Sequence, residues 1–78
     1  MTIYDFINLL TSDDNMVFTL FDCNTEDLVC VDTGDGDKEE LCGAELMGSE
    51  YADYDICSMD TWVENDGRIH IEFNIEEE

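Results

Sequence analysis

Ile69, Ile71, Phe73 and Ile75 alternate with His70, Glu72 and Asn74. A period of two is the pattern of a strand with one buried and one wet face, so this run constrains the chain more than any other stretch of it. Upstream, Ile56–Val63 is rich in residues that suit a pleated surface. Between the two runs lies Glu64-Asn65-Asp66-Gly67-Arg68. Asn, Asp and Gly tolerate positive φ at little cost, so Asn65-Asp66-Gly67 predicts a tight turn and the two runs a β-hairpin. The alternation that sends Ile69, Ile71 and Phe73 inward sends Glu72 and Glu76 outward.

The rest of the chain supplies partners for that hairpin. Ile3, Phe6, Ile7 and Leu10 fall at i, i+3, i+4 and i+7, and Thr2 followed by Asp5 approximates a capping box. A helix over Thr2–Leu10 is expected, with Asp5 in its first turn where the macrodipole favours a negative charge. The polar cluster Thr11–Asn15 ends it. Met16–Phe21 and Leu28–Val31 read as strands joined by a turn at Asp22–Asp27. The glycine-rich acidic loop Asp32–Asp37 leads into Lys38–Met47, read as a short second helix although Gly43 lies inside it. Residues 48–53 connect back to the hairpin. The expected fold is α+β over a single domain, residues 1–78: an N-terminal helix packed on a mostly antiparallel sheet of about four strands, with a short second helix. The sheet's other face is left to carry much of the acid.

That acid is the second constraint. Of 78 residues 22 are Asp or Glu and two are basic, Lys38 and Arg68, for a formal charge of -20. Apolar residues make up 44 % of the chain, enough for a core. A domain of this size buries only about 60 % of its unfolded surface, so self-repulsion acts on a thin margin that salt or a cationic partner widens. No apolar run approaches the roughly 20 residues of a membrane helix, and the amino terminus has neither a basic region nor a cleavage signature. The expectation is a cytoplasmic protein of a host cell that avoids membranes and makes no direct contact with nucleic acid, both of which would repel it. Cys23, Cys30, Cys42 and Cys57 show no CxxC spacing, and they read as reduced thiols serving as small buried hydrophobes.

Several constellations invite chemistry. Asp32-Thr33-Gly34 follows an apolar strand and resembles the active-site triplet of retroviral-type aspartic proteases, which bring two such triplets together. The family usually has a small apolar residue next; here Asp35 follows, and the stretch reads better as a strand end entering an Asp-Gly turn. As an EF-hand loop from Asp32, the sequence places Gly34, Gly36, Asp37 and Gly43 where acid, acid, glycine and glutamate belong. A different calcium site, using Asp32, Asp35, Asp37 and Glu39, stays open as an alternative. Asp22, Asn24 and Glu26 form a partial pattern with Asp27 in the glycine's place. His70, the single histidine, falls at an outward strand position with no Ser or Cys partner identifiable, so nucleophilic catalysis finds no support and an enzyme is not expected. No cofactor is implied, and no metal beyond the calcium alternative.

The charge is what remains. Strand neighbours at i and i+2 stand about 6.5 to 7 Å apart on one face, broadly the spacing of successive phosphates, so rows of carboxylates can copy the charge lattice of a nucleic acid. Asp53/Asp55, Asp35/Asp37 and Glu76/Glu78 have that interval. Solubility asks for a net charge of only about 2 to 8 in a small domain. In size, charge and coarse pattern the chain resembles the small acidic DNA-mimic proteins of phages and other mobile elements, among them anti-CRISPR and anti-restriction inhibitors. The resemblance implies a non-catalytic inhibitor occupying the basic nucleic-acid-binding groove of a host defence nuclease. The acids expected to meet that groove are Asp32, Asp35, Asp37, Glu39 and Glu40, with Asp53, Asp55, Asp60, Glu64, Asp66 and Glu72 as a second set. Tyr51, Tyr54 and Trp62 are aromatic anchors if exposed. The alternatives are a protein-interaction or accessory domain of a mobile element that binds through an apolar patch, and a calcium-binding module.

Overall fold

The hairpin closes where its sequence places it. In a computed structural model that describes residues 1–10, 15–34 and 36–76, strands run over Asp55–Val63 and Ile69–Glu76. Gly67 takes φ +88° in the turn between them, and the Glu64 N–H donates to the Arg68 carbonyl at 2.7 Å. In chain order the elements are helix α1 (Ile3–Asn8), strands β1 (Met16–Asp22), β2 (Leu28–Val29), β3 (Val31–Asp32) and β4 (Asp37–Lys38), and helix α2 (Gly43–Met47). A 3-10 turn (Glu50–Asp53) and strands β5 (Asp55–Val63) and β6 (Ile69–Glu76) complete the series. Four strands form one sheet in the order β2-β1-β6-β5, while β3 and β4 make a separate two-stranded ladder. The arrangement is α+β.

One sheet face carries the core. Ile71, Phe73 and Ile75 of β6 and Phe18 and Leu20 of β1 are buried there with Ile3 and Ile7 of α1, Leu46 of α2, and Leu41. Phe18 stacks on Phe73 at 5.7 Å between centroids, and Phe6 meets Phe73 edge-on at 5.3 Å. The capping box holds α1: the Asp5 N–H donates to Thr2 Oγ1 at 3.1 Å and the Thr2 N–H to Asp5 Oδ2 at 3.2 Å. The helix is shorter than its apolar period, because Thr2 and Leu9 serve as its caps.

Two of the sheet's three strand pairings are antiparallel, as expected of a mostly antiparallel sheet, and β6 makes the third with β1. It runs parallel to β1, from Met16 opposite Ile69 to Asp22 opposite Ile75, while the β1–β2 and β5–β6 pairs are antiparallel. Alternation is the same in both pairings; direction is set by the long connection between β1 and β6, which carries β6 back along β1. Sandwiched between β1 and β5, β6 has both edges satisfied.

Three expectations shift. The run Leu28–Val31 is divided at Cys30 into β2 and β3, which belong to different sheets. The acidic loop therefore becomes a hairpin, with Gly34 at φ +93° and Gly36 at φ +110°, conformations L side chains rarely adopt. The second helix is confined to Gly43–Met47, since Lys38 is taken into β4 and Leu41 exchanges two backbone hydrogen bonds of 2.9 Å with Phe18. That bridge closes the half of β1's outer edge that β2 leaves free, and it draws Glu39 and Glu40 against the sheet. The cysteines do not serve as core: Cys30, Cys42 and Cys57 are exposed and Cys23 half-buried. Thr11–Asp14 in the expected turn, Asp35, and Glu78 of the Glu76/Glu78 pair lie outside the described residues. Among the described residues no helix is long and apolar enough to cross a membrane.

Candidate functional site

The face of the sheet opposite the helices is built in rows set by strand register. Val17, His70 and Trp62 stand side by side across β1, β6 and β5; the next row is Thr19, Glu72 and Asp60; then come Phe21, Asn74 and Ser58, with Leu28 beside Phe21. It is less uniformly acidic than strict alternation on every strand would make it. Met16–Phe21 is a continuous apolar run, so β1 contributes Val17 and Thr19, at 8 % and 7 % exposure, to this face as well as Phe18 and Leu20 to the core.

His70 organises the centre. The residue is 8 % exposed and its ring has a partner on each nitrogen: Nε2 lies 3.0 Å from Thr19 Oγ1 and Nδ1 lies 3.0 Å from Glu64 Oε1. The Trp62 indole stacks on the imidazole at 4.3 Å and 15°, and its Nε1–H donates to the same Glu64 oxygen at 3.0 Å. His70 thus takes the outward strand position its sequence predicts, with no Ser or Cys beside it, but it is buried there and bonded to Thr19 and Glu64. Thr19 comes from β1, a strand 51 residues away in sequence, and Glu64 from the hairpin turn, six residues away. Hydroxyl, imidazole and carboxylate in this order are also the parts of a nucleophilic triad. Here the hydroxyl lies on the open face of β1, at 7 % exposure, and the bonds satisfy a buried imidazole that would otherwise lose its water without replacement.

Around this network lies a cleft of about 210 Å³. Phe21, Leu28, Thr19 and His70 form its floor, Trp62 one wall, and Glu39, Glu40 and Glu72 its rim. Asp60, opposite Glu72 on β5, extends the rim to the sheet edge, and Glu64 follows Trp62 at the end of that strand. Trp62 is 43 % exposed, whereas Tyr51 and Tyr54 are half-buried, in edge-on contact with each other at 5.0 Å and packed against the core. Of the three aromatic anchors, Trp62 is the one that faces solvent.

The expected partner-binding acids therefore divide. Glu39, Glu40, Asp60, Glu64 and Glu72 come together on the open face. Asp32 and Asp37 pair across β3 and β4 and line a separate cleft of about 330 Å³ that also includes Glu50 and Tyr51. Asp32 Oδ1 accepts from the Gly34 N–H at 2.9 Å, an Asx turn at the end of β3. Asp53 and Asp55 flank Tyr54 between the 3-10 turn and β5, with Asp55 opposite Glu76. Asp66 is tied to Arg68, whose Nε lies 2.7 Å from Asp66 Oδ2; the Arg68 backbone and guanidinium both hold its carboxyl below the ordinary range. Asp35 lies outside the described residues. Among the described residues no three His, Cys, Asp or Glu side chains are placed to hold a metal ion.

The other basic residue, Lys38, bonds Glu45 Oε2 at 2.7 Å. With the Cys42 N–H also donating to Glu45 Oε1, the Glu45 carboxyl is held down at about 2. Thr19, Phe21 and Leu28 were outside the sequence-derived site. One signal could have found Thr19: a single hydroxyl in the middle of an apolar run needs a buried partner. No known protein family, curated protein or solved structure matches this chain.

Proposed function

We propose that the protein is a non-catalytic inhibitor that presents nucleic-acid-like negative charge to the basic groove of a nucleic-acid-binding protein, a host nuclease of the kind that anti-CRISPR and anti-restriction proteins block. The observation that carries this is the band of Glu39, Glu40, Glu72 and Asp60 across the open face, with an exposed Trp62 beside it. A charge of -20 supplies long-range attraction to a basic groove and speeds the encounter. At close range, carboxylates on a rim accept charge-assisted hydrogen bonds from Arg or Lys, and an indole face takes the flat guanidinium. Phe21 and Leu28 in the floor give the alkyl stem of such a side chain an apolar surface.

A second reading is favoured by a different observation. Met59, Trp62 and Val63 are 40 %, 43 % and 70 % exposed on β5, which has β6 on one side and is an edge of the sheet. Met59 and Val63 lie on the helix side of β5 and Trp62 on the open side, so such an edge suits a protein partner that adds a strand and meets both faces. A pull-down from host lysate at about 50 mM and about 500 mM salt separates the two by the screening of exposed charge. Capture of a basic nucleic-acid-binding protein at low salt and its loss at high salt supports charge mimicry; a partner held equally at both belongs to the apolar edge.

A further inference from the structure

Two cysteines from distant parts of the chain meet at the end of the sheet. Cys23 follows the last residue of β1, and its N–H donates to the Ile75 carbonyl of β6 at 2.9 Å. Cys57 sits on the other side of β6, in the irregularity of β5 where the pairing shifts between Ile56 and Ser58. Their sulfurs are 3.0 Å apart across 34 residues of sequence. A bulge leaves its extra residue outside the ladder, so Cys57 can move without breaking strand pairing. Cys57 is exposed and Cys23 half-buried, so a small reagent reaches the pair.

We propose that Cys23 and Cys57 are a reversible disulfide site, oxidised by exchange with a low-molecular-weight disulfide such as oxidised glutathione. One protein thiolate attacks a glutathione sulfur, forming a mixed disulfide and releasing one glutathione thiol. The second protein thiol gives up its proton and attacks the protein-side sulfur, closing the Cys23–Cys57 bond and releasing the second glutathione. Two protein thiols are oxidised and one disulfide is reduced. The product clamps β5 to the end of β1 around β6, the strand between them, and restricts the unfolded chain by closing a loop between the two cysteines. Hydrogen bonding to Cys23, burial, and the nearby carboxylates of Glu76 and Asp55 push the Cys57 thiol up to about 11, so exchange quickens as pH rises. This site is independent of the charge-mimic reading.

The test is incubation of the folded full chain with excess oxidised glutathione, alkylation of remaining thiols, and peptide mapping by mass spectrometry. The expected product has lost two hydrogens and carries a Cys23–Cys57 cross-link, while Cys30 and Cys42 are alkylated or carry glutathione. Its melting temperature rises by about 10–20 °C over the reduced form, and Cys57→Ala, which keeps the fold by circular dichroism, shows no such rise. Glutathione adducts on both Cys23 and Cys57 without a cross-link, or cross-links distributed equally among the four cysteines, overturn the proposal. The mapping of the unsubstituted chain decides this even if the variant does not fold.

Discussion

Thr19→Val tests the polar network on which the open face is built. Valine has nearly the shape of threonine, so the substitution removes one hydroxyl and its 3.0 Å contact and leaves Nε2 of the buried His70 without a partner. Stranding a buried polar atom costs about 1–3 kcal/mol, against a total stability of about 4–12 kcal/mol for 78 residues. With a urea dependence of about 1 kcal/mol per molar for so small a domain, the unfolding midpoint should fall by about 1–3 M. Trp62, the chain's single tryptophan, stacks on His70, so its fluorescence reports unfolding from the site itself. The decisive comparison is the same substitution in a His70→Phe background, which keeps an aromatic ring against Trp62 but has no nitrogen to strand. There Thr19→Val should be near neutral, for a coupling above about 1 kcal/mol. Equal costs in the two backgrounds would refute the network as a buried, mutually satisfied unit.

Salt acts on the whole charge: raising sodium chloride from about 10 to about 500 mM should raise the melting temperature measured by circular dichroism, because screening relieves self-repulsion. A fall would mean that attractive pairs outweigh repulsion. Glu45 works in the opposite sense to the general acid load. Its carboxyl is depressed from 4.5 to about 2, so its stabilising contribution is complete above about 4.5 and is lost as pH falls through about 2. Glu45→Gln should be less stable than the parent at pH 6, with the two converging near pH 2 in denaturant titrations. Gly67→Ala places a Cβ at φ +88°, where open space surrounds it, so any loss is backbone strain of about 1 kcal/mol read from the same titrations.

Much of the fold was legible because its determinants are local. The alternation Ile69–Ile75, the Asn65-Asp66-Gly67 turn and the Thr2/Asp5 capping box each specify a conformation from adjacent residues, and each forms. What was not legible depends on partners far along the chain. Alternation does not encode whether β6 runs parallel to β1, and the Leu41–Phe18 bridge that brings Glu39 and Glu40 to the open face has no sequence signature. His70 looked outward and alone because Thr19 becomes its partner only after β1 and β6 pair. The acids show the same division: their number was plain, while the gathering of Glu39, Glu40, Asp60, Glu64 and Glu72 on one face, away from Asp32 and Asp37, is a product of register. The cysteines read as core, yet the turn at the end of β1 and the bulge in β5 bring Cys23 and Cys57 together at the surface.

Placement of charge, rather than its amount, is the central claim, and two variants of equal net charge separate them. One neutralises the band by E39Q, E40Q, D60N and E72Q; the other neutralises Glu26, Asp27, Glu50 and Glu76 to their amides. The measurement is displacement of labelled duplex from the basic protein captured in the lysate experiment, followed across a range of salt concentrations. The account predicts that the band variant binds at least about 100-fold more weakly at low salt and loses most of the salt dependence, while the control stays within about tenfold of the parent. Equal weakening in both variants would contradict it, leaving bulk charge as the whole effect and the open face without a role.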